Sequence, residues 1–188
     1  MPDRPDRPVV AVLEGERPVR GLERVAARAD IRITTAPGLA TALNGADVLY
    51  LWDWFSGALP DAWHVADSLQ WLHVAAAGVD KLLFPALVES DVVVTNAHGI
   101  FDVPMAEYVL GAMLASAKGF GVLRDAQNES RWAWQESRTL AGSTALIVGT
   151  GSIGRATARL LRAVGVELEG VGRTAREHDG DFGRVQLP

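Results

Sequence analysis

A glycine-rich turn follows an apolar segment late in the chain, where residues 145–154 read Ala-Leu-Ile-Val-Gly-Thr-Gly-Ser-Ile-Gly. In this G-x-G-x-x-G spacing, Gly149 permits a tight turn, Gly151 leaves room for a pyrophosphate, and Gly154 lets the next helix pack on its strand. The free N–H groups at the start of that helix would face the phosphates. The motif predicts a dinucleotide site formed by Gly149, Thr150, Gly151, Ser152, Ile153 and Gly154.

The strand after this turn is expected to end near Arg173, which lies 19 residues after Gly154. At about this distance from the glycines, an acidic residue binds the ribose hydroxyls of NAD, whereas an arginine accommodates the 2′-phosphate of NADP. Arg173 offers a planar guanidinium for a phosphate, and Thr174 adds a hydroxyl. These residues favour NADP(H) over NAD(H). The alternative is that Arg173 is simply a solvated arginine at a strand end.

The segments that would position these groups alternate between strands and helices from residue 9 onward. Apolar or β-branched runs predict five strands, and helical spacing predicts two short helices between them. Such alternation indicates parallel β/α units with right-handed connections, and hence a small doubly wound domain over residues 9–101. The predicted strands are Val9–Leu13, Ile31–Thr35, Val48–Trp52, Leu69–Val74 and Val92–Thr95, and the predicted helices are Gly21–Ala29 and Leu39–Leu43.

A second region, residues 102–188, carries the glycine-rich turn. Pro104 suits the first turn of a helix, which continues as an apolar stripe at helical spacing. A polar segment with two tryptophans, 126–137, is expected to cover a surface. The remaining predicted elements are strand Thr144–Val148, helix Ser152–Val164 with Gly165 at its C-cap, and strand Val166–Val171.

Only 34 residues follow Gly154, which is too few for a complete dinucleotide-binding domain. We therefore expect a truncated domain with a single β/α/β unit. Such a unit would leave open sheet edges and an uncovered apolar face, so failure of this part to fold alone is a further possibility.

Composition excludes several classes of protein. The 188 residues carry a net charge of −5, which argues against binding to nucleic acid or anionic lipid. Without cysteine, the chain has no disulfide framework and no thiolate metal site, and no metal is expected. Residues 1–8 are charged and proline-rich, which predicts a disordered tail rather than a signal peptide. With no long apolar run, the chain is not expected to span a membrane, and the default location is the cytoplasm.

Five short motifs occur in the order seen in the D-isomer-specific 2-hydroxyacid dehydrogenases, which the chain resembles from about Val9 to Thr174. They are residues 69–80, 94–96, 103–110, 131–132 and 149–155. The resemblance implies a flavodoxin-like substrate domain followed by an incomplete Rossmann domain, with the active site in the cleft between them. It also implies hydride transfer between NAD(P)H and a small 2-ketoacid such as glyoxylate or hydroxypyruvate, and a homodimer joined through the nucleotide domain.

The resemblance also assigns the loop Ala77-Gly78-Val79 as the turn whose backbone N–H groups bind the substrate carboxylate. A glycine-containing loop can present consecutive amides to an anion. A tight strand-to-helix turn needs glycine as well, and both roles are compatible. The family's catalytic arginine, histidine and acid lie beyond the point where this chain stops, so no catalytic residue is named and the 188 residues are expected to lack turnover. The alternative function is a non-catalytic dinucleotide-binding or regulatory module.

The remaining polar and aromatic residues give weaker signals. His98, near the domain junction, is the one histidine worth testing as a catalyst, although no carboxylate partner is evident for it. Trp52 and Trp54 follow a strand at the carboxyl end of the sheet, where they would line the substrate pocket or pack in the core. The other residues considered have structural explanations: His64 and His178 at the surface, with His178 in a charged loop, His73 in a strand, Glu107 at a helix N-terminus, and Trp132.

Overall fold

The computed structural model describes residues 7–188. Of the predicted disordered tail, residues 1–6 lie outside the described residues. Arg7, within the described part, donates hydrogen bonds to the carbonyl oxygens of Ala26 and Ala29. The chain divides into two compact units, the first ending at His98 and the second running from Gly99 to Pro188. The assignment of one unit to substrate and the other to nucleotide remains a prediction.

The first unit is built on a five-stranded sheet in which every neighbouring pair of strands is parallel. The strand order is β2-β1-β3-β4-β5, which is the flavodoxin-like order and confirms the predicted fold class. All five residues of the interior strand β1 are buried, as expected for a strand covered on both faces. The strands are β1 (Val9–Leu13), β2 (Asp30–Thr34), β3 (Val48–Leu51), β4 (Trp71–Val74) and β5 (Val93–Asn96).

The two faces of this sheet are covered unequally. One face carries the larger core, in which leucines of the strands pack against leucines of the helices, for example Leu49 and Leu72 against Leu43 and Leu59. The other face carries a smaller cluster around Val10 and Val12. The helices of this unit are α1 (Glu23–Ala26), α2 (Leu39–Leu43), α3 (Ala58–Ala62) and α4 (Pro85–Val88).

Helix α1 is shorter than the predicted helix Gly21–Ala29. The amide of Arg28 bonds to the carbonyl of Val25, three residues back, so the last predicted turn tightens and the α-helix ends. The amide of Asp30 then bonds to the carbonyl of Pro8, which starts the pairing of β2 with β1.

The second unit contains a four-stranded sheet in the order β6-β7-β9-β8. Strand pairs β6–β7 and β7–β9 are parallel, whereas β8 and β9 form an antiparallel edge hairpin. The expectation of a single β/α/β unit was therefore wrong, because the hairpin adds two strands. The strands are β6 (Thr144–Val148), β7 (Glu167–Val171), β8 (Arg176–Asp179) and β9 (Gly183–Gln186).

The hairpin was not predicted from the sequence, because β8 reads Arg-Glu-His-Asp and has no hydrophobic pattern. It is held by contacts distant in sequence. Phe182, in the turn before β9, is only 1% exposed and packs with Ala158 and Val185 in the core of this unit. His178, predicted in a loop, lies instead in β8, where it is exposed to solvent.

Three helices complete the second unit. Helix α5 begins at Asp102, so Pro104 lies in its first turn as expected, and α5 packs against α7. Helix α6 takes the first three residues of the segment predicted to cover a surface, 126–128. The helices are α5 (Asp102–Ala117), α6 (Phe120–Asn128) and α7 (Ser152–Ala163).

Within residues 7–188, no helix combines the length and apolar character needed to cross a bilayer. The same residues contain no cluster of three or more His, Asp or Glu side chains able to hold a metal ion. The cytoplasmic location remains a prediction from the sequence.

Candidate cofactor and substrate sites

The glycine-rich turn begins where β6 ends and leads directly into α7. Gly149 has φ +110°, a backbone conformation that side chains with a Cβ rarely adopt. Its amide donates a 2.8 Å hydrogen bond to the carbonyl oxygen of Val171, which joins the turn to the end of β7. The turn is therefore fixed against both strands that border the predicted nucleotide site.

The other two glycines differ in what surrounds them. A Cβ on Gly154 would lie 2.0 Å from the carbonyl oxygen of Gly149, so only glycine fits where the helix crosses the turn. A Cβ on Gly151 would meet no atom within 4 Å. The turn is thus closed at Gly154 and open at Gly151, the side from which a phosphate group would approach.

The backbone amides of residues 150–154 donate to no acceptor within the part of the chain that the structure describes. They belong to the turn and to the first turn of α7, where helix geometry leaves N–H groups without internal partners. Such a group of amides, with the positive end of the helix dipole, suits an anion. The backbone here fits the pyrophosphate of a dinucleotide.

A cavity of about 490 Å³ lies beside this turn. It is lined by residues 148–151, residues 171–174, Arg176 and Pro188. The predicted residues Gly149, Thr150, Gly151, Arg173 and Thr174 therefore share one cavity, whereas Ser152, Ile153 and Gly154 form the start of α7 beside it. No Asp or Glu side chain is among the residues that line this cavity.

The two predicted nucleotide-selecting residues are accessible. Arg173 and Thr174 are both exposed, and neither side chain has a hydrogen bond or ion pair with another residue of the 7–188 range. The guanidinium of Arg173 is free to bind a ligand, as its predicted role requires.

Arg176 also lines the cavity and was not predicted from the sequence. Its Nη2 donates to Thr150 Oγ1 at 2.9 Å, and its Nε donates to Asp179 Oδ2 at 2.7 Å. In the sequence, the only indication of such a role is that Arg176 lies three residues after Arg173. This spacing does not place Arg176 in the cavity unless β8 folds beside the turn.

Arg155, the residue directly after the third glycine, forms a partly buried ion pair with the same carboxylate. It donates to both oxygens of Asp179, at 3.1 and 2.9 Å, and to Asp181 at 2.8 Å. The hydrogen bonds from Arg155 hold the pKa of Asp179 well below its usual range, against the opposing effect of burial. Asp179 is therefore ionised at neutral pH, and the helix is joined to the hairpin through it.

The first unit has its own cavity, of about 540 Å³, at the carboxyl ends of β3 and β4. Trp54, Phe55 and Gly78 are among its lining residues, together with the charged pair Asp80 and Lys81. Apolar walls with a few polar groups are typical of small-molecule sites.

The predicted carboxylate-binding turn, Ala77-Gly78-Val79, follows β4 at this cavity, although of its three residues only Gly78 lines the cavity. Asn96 Nδ2 donates to the carbonyl oxygen of Ala77 at 2.6 Å, which ties the turn to β5. The amides of residues 77–79 donate to no acceptor in the described part of the chain. They are available for a carboxylate.

The tryptophans behave differently from each other. Trp54 lines the cavity and also packs against the core of the first unit. Trp52 does not, because its indole donates to the carbonyl of Arg17 at 2.8 Å and its ring packs against Trp54 with the centroids 6.1 Å apart.

The histidines give no catalytic arrangement among the described residues. His98 is exposed and has no hydrogen-bond or ion-pair partner there. His73 is half-buried in β4 and shares a 2.8 Å hydrogen bond with Thr95 Oγ1. His64 bonds to the backbone carbonyl of Asp61.

Comparison with known proteins shows what the second unit resembles. Residues 110–187 match the model of the D-isomer specific 2-hydroxyacid dehydrogenase NAD binding domain. A D-isomer specific 2-hydroxyacid dehydrogenase family protein from Aeromonas salmonicida is structurally similar over 97% of this chain, with a TM-score of 0.77 and 28% identity. The chain is similar to the D-isomer specific 2-hydroxyacid dehydrogenases. The family resemblance seen in the sequence is thereby confirmed, and residues 110–187 of the second unit resemble the family's NAD-binding domain.

Two further structures of the dehydrogenase fold differ in cofactor. An NADPH-dependent glyoxylate/hydroxypyruvate reductase from Sinorhizobium meliloti shares 24% identity over 96% of this chain, with a TM-score of 0.75. A D-lactate dehydrogenase from Aquifex aeolicus, complexed with NAD and lactic acid, shares 15% identity over 95% of it, with a TM-score of 0.78. At these sequence identities the similarity shows only that the chains share a fold.

The chain spans only part of the length of these proteins. It covers 58% of the Aeromonas and Sinorhizobium chains and 55% of the Aquifex chain. Among the curated relatives it matches, the share ranges from 20% to 42% of their length.

Proposed function

We propose that the protein is an NAD(P)-dependent oxidoreductase that interconverts a 2-ketoacid and a D-2-hydroxyacid. The observation that carries this proposal is the turn at Gly149–Gly154, which is open at Gly151 and presents free amides beside a cavity. The nicotinamide cofactor, when bound, supplies the hydride. In this chain the backbone amides of residues 150–154 bind the cofactor phosphates. Gly151 has no side chain that would obstruct their approach.

The substrate proposed is a small 2-ketoacid such as glyoxylate or hydroxypyruvate. The amides of Ala77, Gly78 and Val79 would bind its carboxylate, and the bond from Asn96 to Ala77 keeps this turn in place. Hydrogen bonds from several backbone amides to a carboxylate are charge-assisted and therefore strong.

We propose that NADP(H) is preferred over NAD(H). The support is the free, exposed guanidinium of Arg173 next to Thr174, in a cavity whose lining includes no Asp or Glu side chain to accept hydrogen bonds from ribose hydroxyls. Solved relatives of the fold include both NADPH-dependent and NAD-bound members, so the choice depends on this chain's own residues.

A homodimer joined through the second unit is the proposed assembly. Large apolar side chains are exposed on α5, on α6 and in the segment that follows; Trp132 is 90% exposed and Tyr108 is 73% exposed. Trp132 and Trp134 line a shallow groove together with Phe120. Exposed apolar surface of this kind is typical of interaction sites.

The test of the proposed function is a binding titration of NADPH and NADH with the 188-residue protein and its Arg173→Ala variant. Wild type is expected to bind NADPH more tightly, and the variant is expected to lose that preference while still binding NADH. A protein that binds neither dinucleotide refutes the proposal, and an unchanged preference in the variant removes the role of Arg173.

The same proteins can be assayed for NADPH oxidation with glyoxylate or hydroxypyruvate. That the 188 residues alone lack turnover remains a prediction from the sequence. No observation on the described residues favours the alternative of a regulatory module.

A further inference from the structure

One buried carboxylate in the second unit is shared by two arginines from different elements. The side chain of Asp179, the last residue of β8, is only 4% exposed. Arg155 of α7 bonds to both of its oxygens, and Arg176 of β8 bonds to Oδ2. The amides of Asp181 and Phe182 also donate to Oδ1. Asp179 therefore fixes the position of each guanidinium relative to the other.

The charges around Asp179 do not cancel. Asp181 is bound by Arg155 and also by Arg159, so both carboxylates are matched by arginines of α7. The cluster contains three guanidinium groups and two carboxylates, and Arg176 is the additional cation. Although its Nε is bonded to Asp179, Arg176 has no ion pair with a second carboxylate within residues 7–188 and retains positive charge.

Arg176 directs this charge to the cofactor cavity. Its Nη2 bonds to Thr150, which lies in the glycine-rich turn and packs over the end of β7. A Cβ on Gly172 would lie 2.5 Å from Thr150 Oγ1, which shows how closely the turn approaches the strand end. The Nη1 of Arg176 has no acceptor among the described residues, and Arg173 lines the same cavity.

We infer that Asp179 is a positioning residue for recognition of the cofactor 2′-phosphate, because it holds Arg176 against Thr150 as a second phosphate-binding cation beside Arg173. The inference rests on the proposed function, since it requires a dinucleotide in this cavity. Arg176 would contact the phosphate, and Asp179 acts through Arg176. A guanidinium already held by a buried partner loses little side-chain freedom on binding, so its hydrogen bonds to the phosphate are more effective.

The test compares two substitutions that remove the same charge from the same cluster, Asp179→Asn and Asp181→Asn. Dissociation constants of NADPH and NADH are measured by calorimetry on each folded variant. Asp179→Asn is expected to lower the preference for NADPH by roughly tenfold, the effect of one lost charge-assisted hydrogen bond. Asp181→Asn is expected to leave the preference unchanged, because Asp181 does not contact Arg176.

The sign of the effect separates positioning from simple electrostatics. Removing a carboxylate near an anionic ligand strengthens binding if charge alone matters, so a loss of NADPH preference in Asp179→Asn reports the displaced arginine. The pH profile gives a second readout, because a phosphomonoester loses one of its two charges below a pH of about 6. The NADPH preference of wild type is expected to fall as the pH falls through this value, and the profile of Asp179→Asn is expected to be flatter.

If Asp179→Asn does not fold, Arg176→Gln tests the inference instead, since it leaves Asp179 paired with Arg155. The same loss of NADPH preference is expected. An unchanged preference in Arg176→Gln, or equal losses in Asp179→Asn and Asp181→Asn, overturns the inference alone. A wild-type protein that binds neither dinucleotide overturns the proposed function as well. Equal binding of NADPH and NADH by wild type overturns binding of the 2′-phosphate by Arg173 and Arg176 but leaves the dinucleotide site standing.

Discussion

A Cβ placed on Gly154 would lie 2.0 Å from the carbonyl oxygen of Gly149, so the first turn of α7 rests directly on the backbone that precedes it. No side-chain rearrangement can relieve this contact, because the opposing atom belongs to the main chain. The glycine at this position is a packing requirement as well as part of a cofactor motif.

Gly154→Ala is therefore expected to destabilise the second unit by about 1–3 kcal/mol or more, as for an overpacked core. Gly151→Ala is the matched control for stability, because its Cβ would project into open space. Thermal unfolding should show a lower melting temperature for the first variant and little change for the second. Dinucleotide titration should show weaker binding for Gly151→Ala, since the added methyl group occupies the approach to the turn. Equal stability of the two variants would contradict this account of Gly154.

Asn96→Ala is expected to weaken binding of the 2-ketoacid several-fold, since one hydrogen bond that orders the Ala77–Val79 turn contributes about 0.5–1.5 kcal/mol. Thr95→Ala is the control, because Thr95 bonds to Trp71 and His73 rather than to the turn. The measurement is a glyoxylate titration in the presence of saturating cofactor. Similar losses in both variants would show that the effect comes from β5 as a whole and not from the turn.

Acid should destabilise the second unit through Asp179. Its pKa is depressed in the folded protein, so its contribution to stability is fully present above the unfolded pKa of about 3.9 and is lost as the pH falls towards the folded pKa. The free energy of unfolding of wild type is expected to decline below a pH of about 5. The decline should be shallower for Asp179→Asn when both are followed by denaturant titration from pH 7 to pH 3. Parallel pH profiles would assign the acid sensitivity to other carboxylates.

Sedimentation equilibrium should give the mass of a dimer for wild type, if the exposed apolar surface of the second unit is an interface between two copies. Tyr108→Arg on α5 is expected to shift the equilibrium towards the monomer, because a charge desolvated in an apolar interface is unfavourable. Phe55→Arg, at an equally exposed aromatic position in the first unit, is the control and should leave the mass unchanged. A monomeric wild type would remove the proposed assembly.

Elements with strong local signals were predicted with their observed bounds: strands Val9–Leu13 and Thr144–Val148 and helix Leu39–Leu43. Each is an apolar or β-branched run, or a helical repeat, between clear breaks. The β8–β9 hairpin was missed because its stability comes from Phe182 in the core and from the pairing of Arg155 with Asp179, and neither contact leaves a local pattern.

The same distinction applies to the candidate cofactor site. Gly149, Gly151 and Gly154 were recognisable because a phosphate turn requires glycine at fixed spacing. Arg176 was not, because its place in the cavity depends on a strand that has no sequence signature. The sequence therefore predicted the backbone of the glycine-rich turn. It did not predict Arg176, whose side chain comes from the edge strand β8.

The two edges of the second sheet have opposite character. Strand β8 closes one edge with the sequence Arg-Glu-His-Asp, and such charges oppose the addition of a strand from another chain. Strand β6 lies at the other edge, where Leu146 and Val148 are exposed. Addition of a strand from another chain is therefore opposed beside β8 and less opposed beside β6. The hairpin that brings Arg176 to the cavity beside the glycine-rich turn thus also protects its own edge of the sheet from edge-to-edge aggregation.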